Sequence, residues 1–172
     1  YRNFVYGLVK QKMNFILLLI FIWSLGMCTD IRLLGYSFDS PWYTLFTFSY
    51  VHVSFIHLLI NSCIFICYWR SMKGLINMKL LIPMIFFIPA VSAYFSASSV
   101  PTVGASSIIM VLMGIYLTMP IPKKVVREIW ILTIISFVVT FIFAPQINTL
   151  IHIYSLLLSY VISLLAGRRI YA

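Results

Sequence analysis

The chain has 172 residues, of which 63% are hydrophobic and 9% charged, with a formal net charge of +9. Soluble domains carry roughly 25% charged residues, and a soluble core of this length cannot hide so much apolar surface, so lipid must be the solvent for much of it. The basic excess does not point to nucleic acid, because its lysines and arginines come in small clusters between apolar runs, where they read as topology signals.

Four charge-free intervals, 13–29, 40–69, 80–122 and 129–167, dominate the chain. A spanning helix needs about 20 apolar residues. The first interval predicts one short helix, and the second predicts one helix with an uncharged lead-in. Each of the last two is long enough for a pair of helices, with turns at Ser96–Pro101 and Ala144–Asn148. The expectation is an all-α, polytopic membrane protein, a single domain over 1–172 with six spans: 13–29, 50–69, 79–97, 104–119, 126–143 and 148–166. The first apolar run is followed by others, so no cleavable leader is expected; the start at Tyr1 points to residues preceding it.

Arg2, Lys10 and Lys12 precede the first span, and Arg70, Lys73 and Lys79 follow the second. Lys123, Lys124 and Arg127 precede the fifth, and Arg168 and Arg169 follow the last. Only Arg32 falls on the opposite side. The positive-inside rule then predicts both termini in the cytoplasm. The connection from Asp30 to Ser49, with Trp42, Tyr43, Phe46 and Phe48, is expected to lie in the membrane interface. Cys28, Cys63 and Cys67 read as free thiols that behave as small hydrophobes, with no disulfide or metal role.

Ionisable groups inside a membrane are costly and are functional candidates by default. The chain has three histidines, His52, His57 and His152. Counting from the cytoplasmic ends, His57 precedes Arg70 by 13 residues, Ser106 precedes Pro120 by 14, and His152 precedes Ala166 by 14. At 1.5 Å per residue each lies roughly 20 Å above that boundary, so three helices bring a serine and two histidines to one level. Asn61 follows His57 on the same face, one turn deeper. A serine needs a base to act as a nucleophile at neutral pH, and His152 is at matching height. His57 and Asn61 are placed to donate to an oxyanion. Asp30, Asp39 and Glu128 belong to other levels, so a two-residue Ser–His device is the natural reading. Small-residue packing is the bland alternative for Ser106, and axial ligation of haem is one for the histidines. His52 is expected near the interface, bonded to the outer loop. A hydrolytic zinc site is disfavoured, because no carboxylate accompanies the histidines and no H-E-x-x-H occurs.

From about Trp42 to Ala166 the chain resembles the rhomboid intramembrane serine proteases. Phe46-Thr47, His52, His57 and Asn61 match the spacing F-T-x-x-x-x-H-x-x-x-x-H-x-x-x-N. Gly104-Ala105-Ser106-Ser107 stands where the family has G-x-S-G, and Gly114 fits its close-packed fourth helix. His152, Ser155 and Ser159 stand where it has H-x-x-G-x-x-x-G. The resemblance implies a six-helix rhomboid-like bundle that cleaves transmembrane segments of membrane-protein substrates through an acyl-enzyme. Ser106 is then the nucleophile, His152 the general base, and His57 and Asn61 the oxyanion donors. It implies a multi-pass protein of a bacterial inner membrane, with its site toward the extracytoplasmic side, and calls for no cofactor, metal or nucleic acid. Ser107, Ser155 and Ser159 replace glycines, and Met110 stands where an aromatic residue often packs on the catalytic histidine. A rhomboid-like protein that binds or escorts membrane proteins without cleaving them is the main alternative; a small haem-binding or transport protein is the other.

Overall fold

The computed structural model describes residues 20–26, 30–72, 74–144 and 147–171. Arg2, Lys10, Lys12, Cys28, Lys73, the rest of the first expected span and the centre of the Ala144–Asn148 turn lie outside the described residues. The elements are α1 (20–26), α2 (Ile31–Leu34), α3 (Thr44–Thr47), α4 (Phe55–Met72), α5 (Met78–Phe95), α6 (Ser106–Tyr116), α7 (Lys123–Phe143) and α8 (Thr149–Ala166). A 3-10 turn at Phe48–Tyr50 precedes α4, and another at Gly167–Ile170 follows α8. Among the described residues there is no strand, only the isolated bridges Tyr36–Thr102 and Ile76–Tyr171.

Four helices are long and apolar enough to cross a membrane: α4, α5, α7 and α8 with its trailing turn. Their outer faces carry Leu59, Phe87, Leu132, Phe141 and Leu165, all exposed, which suits lipid and not water as the surrounding solvent. The chain is therefore an integral membrane protein. Helix α6 differs from these four. Its 11 residues rise only about 17 Å, and Ile108, Val111, Leu112, Gly114 and Ile115 are all buried in it. A helix apolar on every face belongs inside a bundle, and α6 is the central post, with its largest contact against α8. Helix α7 is the opposite case. Thr133 is its one buried residue, and it leans on the bundle through Thr133 Oγ1 to Met113 Sδ at 3.7 Å and through Trp130 edge-on to Tyr160.

Capping explains where two helices begin. The second span was expected from residue 50, yet α4 starts at Phe55. The Ser54 hydroxyl accepts the His57 N–H at 3.2 Å, the bond of an N-cap, so residues 51–54 stay outside the helix. Asn148 does the same for α8, its Oδ1 accepting from the Ile151 N–H at 3.4 Å. Helix α6 stops at Tyr116 because Pro120 and Pro122 follow. Arg70, Lys79, Lys123, Lys124, Arg127, Arg168 and Arg169 sit at or just beyond the helix ends away from Ser106 and His152. Cys63 and Cys67 are free, but they are exposed on the outer face of α4, so their apolar surroundings are outside the bundle and not in its core.

Candidate active site

The site is built where α6 begins. Thr102 is pinned by its bridge to Tyr36, with backbone bonds of 2.8 and 3.1 Å. The chain then turns at Gly104, whose φ of +116° is a conformation that side chains rarely tolerate. A Cβ there would fall 2.6 Å from His57 Cε1 and 2.9 Å from His57 Nε2. Glycine thus serves twice, permitting the turn and letting the His57 imidazole lie against the backbone. Two residues later Ser106 opens α6, half-buried, with its N–H among those a helix leaves outside its own ladder.

His152 comes from α8, one turn inside its N-terminus. Asn148 fixes that end a second way: its Nδ2 donates to Ser96 O at 2.7 Å and to Thr102 Oγ1 at 3.2 Å. One side chain therefore joins the start of α8 to the end of α5 and to the strand-like segment leading into α6. In this frame Ser106 Oγ lies 2.8 Å from His152 Nε2, a separation at which hydroxyl and imidazole share a proton.

The two helices approach this closely because small residues line their contact. A Cβ on Gly114 would run into Ser159 Oγ and lie 2.7 Å from Leu156 O and 2.9 Å from Tyr160 N. Ser155 and Ser159 are fully buried. Ser159 turns its hydroxyl back onto Leu156 O at 2.9 Å, so it fits against α6 without an exposed donor. Ser107 is also buried, its Oγ 3.1 Å from Ser49 Oγ. Met110 is half-buried and packs with Met113, Leu117 and Leu156.

Asn61 is buried on α4, and its Nδ2 has no hydrogen-bond partner; His57 Nδ1 is in the same position. Buried polar atoms are seldom left so, and an unspent donor has a use when negative charge arrives. His52 lies inside the protein. It is 3% exposed, its ring centroid 5.6 Å from that of Trp23 and 5.1 Å from that of His57, and its Nε2 accepts the Ala105 N–H at 3.4 Å. It bonds the entry to α6 and not the outer loop. Burial, with His57 alongside as the lesser cause, lowers its pKa from 6.5 to about 4. Ser49, Thr102 and Asn148 have no part in the site as read from sequence. Only Asn148 carried a signal, an Asn immediately ahead of an apolar helix.

At the same end of the bundle a cleft of about 510 Å³ opens between the ends of α5 and α7 and the start of α8, lined in part by Ser96, Ser98, Phe141, Asn148 and Thr149. Among the described residues no group of three His, Cys, Asp or Glu side chains could hold a metal ion. The geometry suits proton transfer from a hydroxyl to an imidazole inside an apolar bundle. A family model described as the Rhomboid domain matches residues 39–169, a stretch holding Ser106, His152, His57 and Asn61. No curated protein matches the chain.

Proposed function

The chain belongs to the rhomboid family, and from that premise we propose that it is an intramembrane serine endopeptidase acting on transmembrane segments of other membrane proteins. The observation that carries this reading is the 2.8 Å approach of Ser106 Oγ to His152 Nε2 across two helices. His152, neutral, takes the hydroxyl proton as Ser106 Oγ attacks the scissile carbonyl. Negative charge then develops on the carbonyl oxygen, and the Ser106 N–H, His57 and the Asn61 amide receive it. Collapse of the intermediate breaks the C–N bond, and His152 returns the proton to the leaving amine. The acyl group stays on Ser106 until water, deprotonated by the same imidazole, attacks it; the imidazolium then returns the proton to the departing Ser106 Oγ, and the acyl group leaves as a carboxylic acid that ionises in water.

The topology that goes with this function has six spans, both termini in the cytoplasm and the Ser106 end of the bundle toward the extracytoplasmic side of a bacterial inner membrane. The basic residues at the far end support it through the positive-inside rule. The glycine replacements are compatible with activity, because Gly114 is retained where a Cβ would collide with α8 and the Ser159 hydroxyl folds back on its own helix.

Purified protein in lipid should cleave a transmembrane reporter, and Ser106→Ala and His152→Ala should each lower the rate at least about a thousandfold. Cleavage by Ser106→Ala at the wild-type rate refutes the proposal. Intact reporter with all three proteins points instead to a rhomboid-fold protein that binds without cleaving.

A further inference from the structure

The residues on either side of Ser106 are all held by one short segment, the connection that leads into α4. Phe48 O accepts the Gly104 N–H at 3.0 Å. His52 Nε2 accepts the Ala105 N–H at 3.4 Å. Ser49 Oγ and Ser107 Oγ are 3.1 Å apart. Every side chain in this set is buried: Phe48, Ser49 and His52 on one side, Ala105 and Ser107 on the other. Between the three ties stands Ser106, which bonds His152 and gives neither its N–H nor its hydroxyl to the segment. The Phe48 side chain also belongs to the buried cluster containing Ile151, the residue before His152, so the same segment shares a packed cluster with α8.

We infer that Phe48–His52 is a clamp that aims the Ser106 N–H and hydroxyl, with Ser49 and His52 as positioning residues for the reaction proposed above. The two backbone ties use the N–H groups of residues 104 and 105. The first free donor at this end of α6 is then that of Ser106, where the oxyanion of an attacked carbonyl would lie. The Ser49–Ser107 tie puts the residue after the nucleophile to use, since its hydroxyl needs a buried partner that a glycine there does not need. His52 must keep a lone pair on Nε2 to hold Ala105. Its low pKa keeps that lone pair available in the pH range where a neutral His152 works.

The inference rests on the protease reading, so wild type and Ser106→Ala are assayed beside every variant in lipid. Ser49→Ala and Ser107→Ala should each lower kcat about three- to tenfold with KM within twofold, and the double variant should be no slower than either single. His52→Leu should lower kcat about ten- to a hundredfold, and His52→Gln, which returns an acceptor near the Nε2 position, should recover all but about threefold. Unchanged kcat in the serine variants, multiplying effects in the double, or equal loss in His52→Leu and His52→Gln overturns the clamp. If His52→Leu does not fold, the serine variants, which remove one hydroxyl each, decide alone. If wild type itself does not cleave, the protease reading fails, and the clamp is then judged by amide hydrogen exchange. Gly104 and Ala105 should be protected in wild type and exchange at least about tenfold faster in His52→Leu, or Ala105 at least that much faster in His52→Gly if the Leu variant does not fold. Exchange equal to wild type refutes it.

Discussion

Gly114→Ala is the most informative single methyl that can be added to this protein. Gly114 lies on α6 eight residues after Ser106, and α8 passes so close that a Cβ would lie 2.7 Å from Leu156 O and 2.9 Å from Tyr160 N, where ordinary contact begins at 3.4 Å. These two atoms are backbone and cannot rotate away, so α6 and α8 must separate by about 0.7 Å at that level. Such overpacking costs about 1–3 kcal/mol. The same displacement is transmitted along two rigid helices to Ser106 and His152, now 2.8 Å apart. A misplacement near 1 Å lowers rates by roughly a hundredfold, so kcat should fall about ten- to a hundredfold in a reporter-cleavage assay while the protein remains folded. Adding Ser159→Ala removes the hydroxyl that a Cβ would meet but leaves Leu156 O and Tyr160 N in place, so the double variant should stay slow. Wild-type kcat in Gly114→Ala, or full rescue by Ser159→Ala, refutes the argument that this crossing sets the site.

Other expectations follow from the same geometry. His57→Ala and Asn61→Ala should each lower kcat by about 10²–10³ with little change in KM, as loss of an oxyanion donor does; a change confined to KM contradicts the assignment. Asn148→Ala removes the cap of α8 together with its ties to Ser96 and Thr102, and should cost about 1–2 kcal/mol, read as a lower thermal midpoint in detergent. His52 adds a pH dependence to stability, with the Trp23 indole, the His57 imidazole and the Ala105 N–H facing it. Its pKa is about 4 when folded against 6.5 ordinarily. Between those values the unfolded chain binds more protons, so stability is full above 6.5 and falls as pH drops toward 4, by at most about 3 kcal/mol. His52→Gln should lose less thermal stability than wild type between pH 7 and pH 4.5; an equal loss contradicts the assigned cause.

The spanning helices α4, α5, α7 and α8 could be read from the charge-free intervals, because lipid excludes charge and the chain shows this directly. The starting point of α4 could not. The start of α4 depends on Ser54 turning its hydroxyl to the His57 N–H, a choice that hydropathy does not record. Counting residues placed Ser106, His57 and His152 at one height, since a helix converts sequence distance to depth at a fixed rate. It could not give the approach of α6 to α8, which depends on what Gly114 omits. The Ser49–Ser107 tie joins residues 58 apart in sequence, and nothing local to either serine announces the other. The 3-10 turn after α8 was equally silent: two arginines marked only the end of a span, yet Ile170 is buried in the core and the Tyr171 hydroxyl donates to Thr118 O at 2.7 Å.

The central claim is that α6 and α8 make one serine reactive by bringing it to one imidazole. The direct test is intact-protein mass after treatment with a fluorophosphonate, followed by peptide mapping. A single adduct on Ser106, absent from both Ser106→Ala and His152→Ala, is the result expected. An adduct on Ser107 or Ser155, or labelling of Ser106 undiminished in His152→Ala, contradicts it.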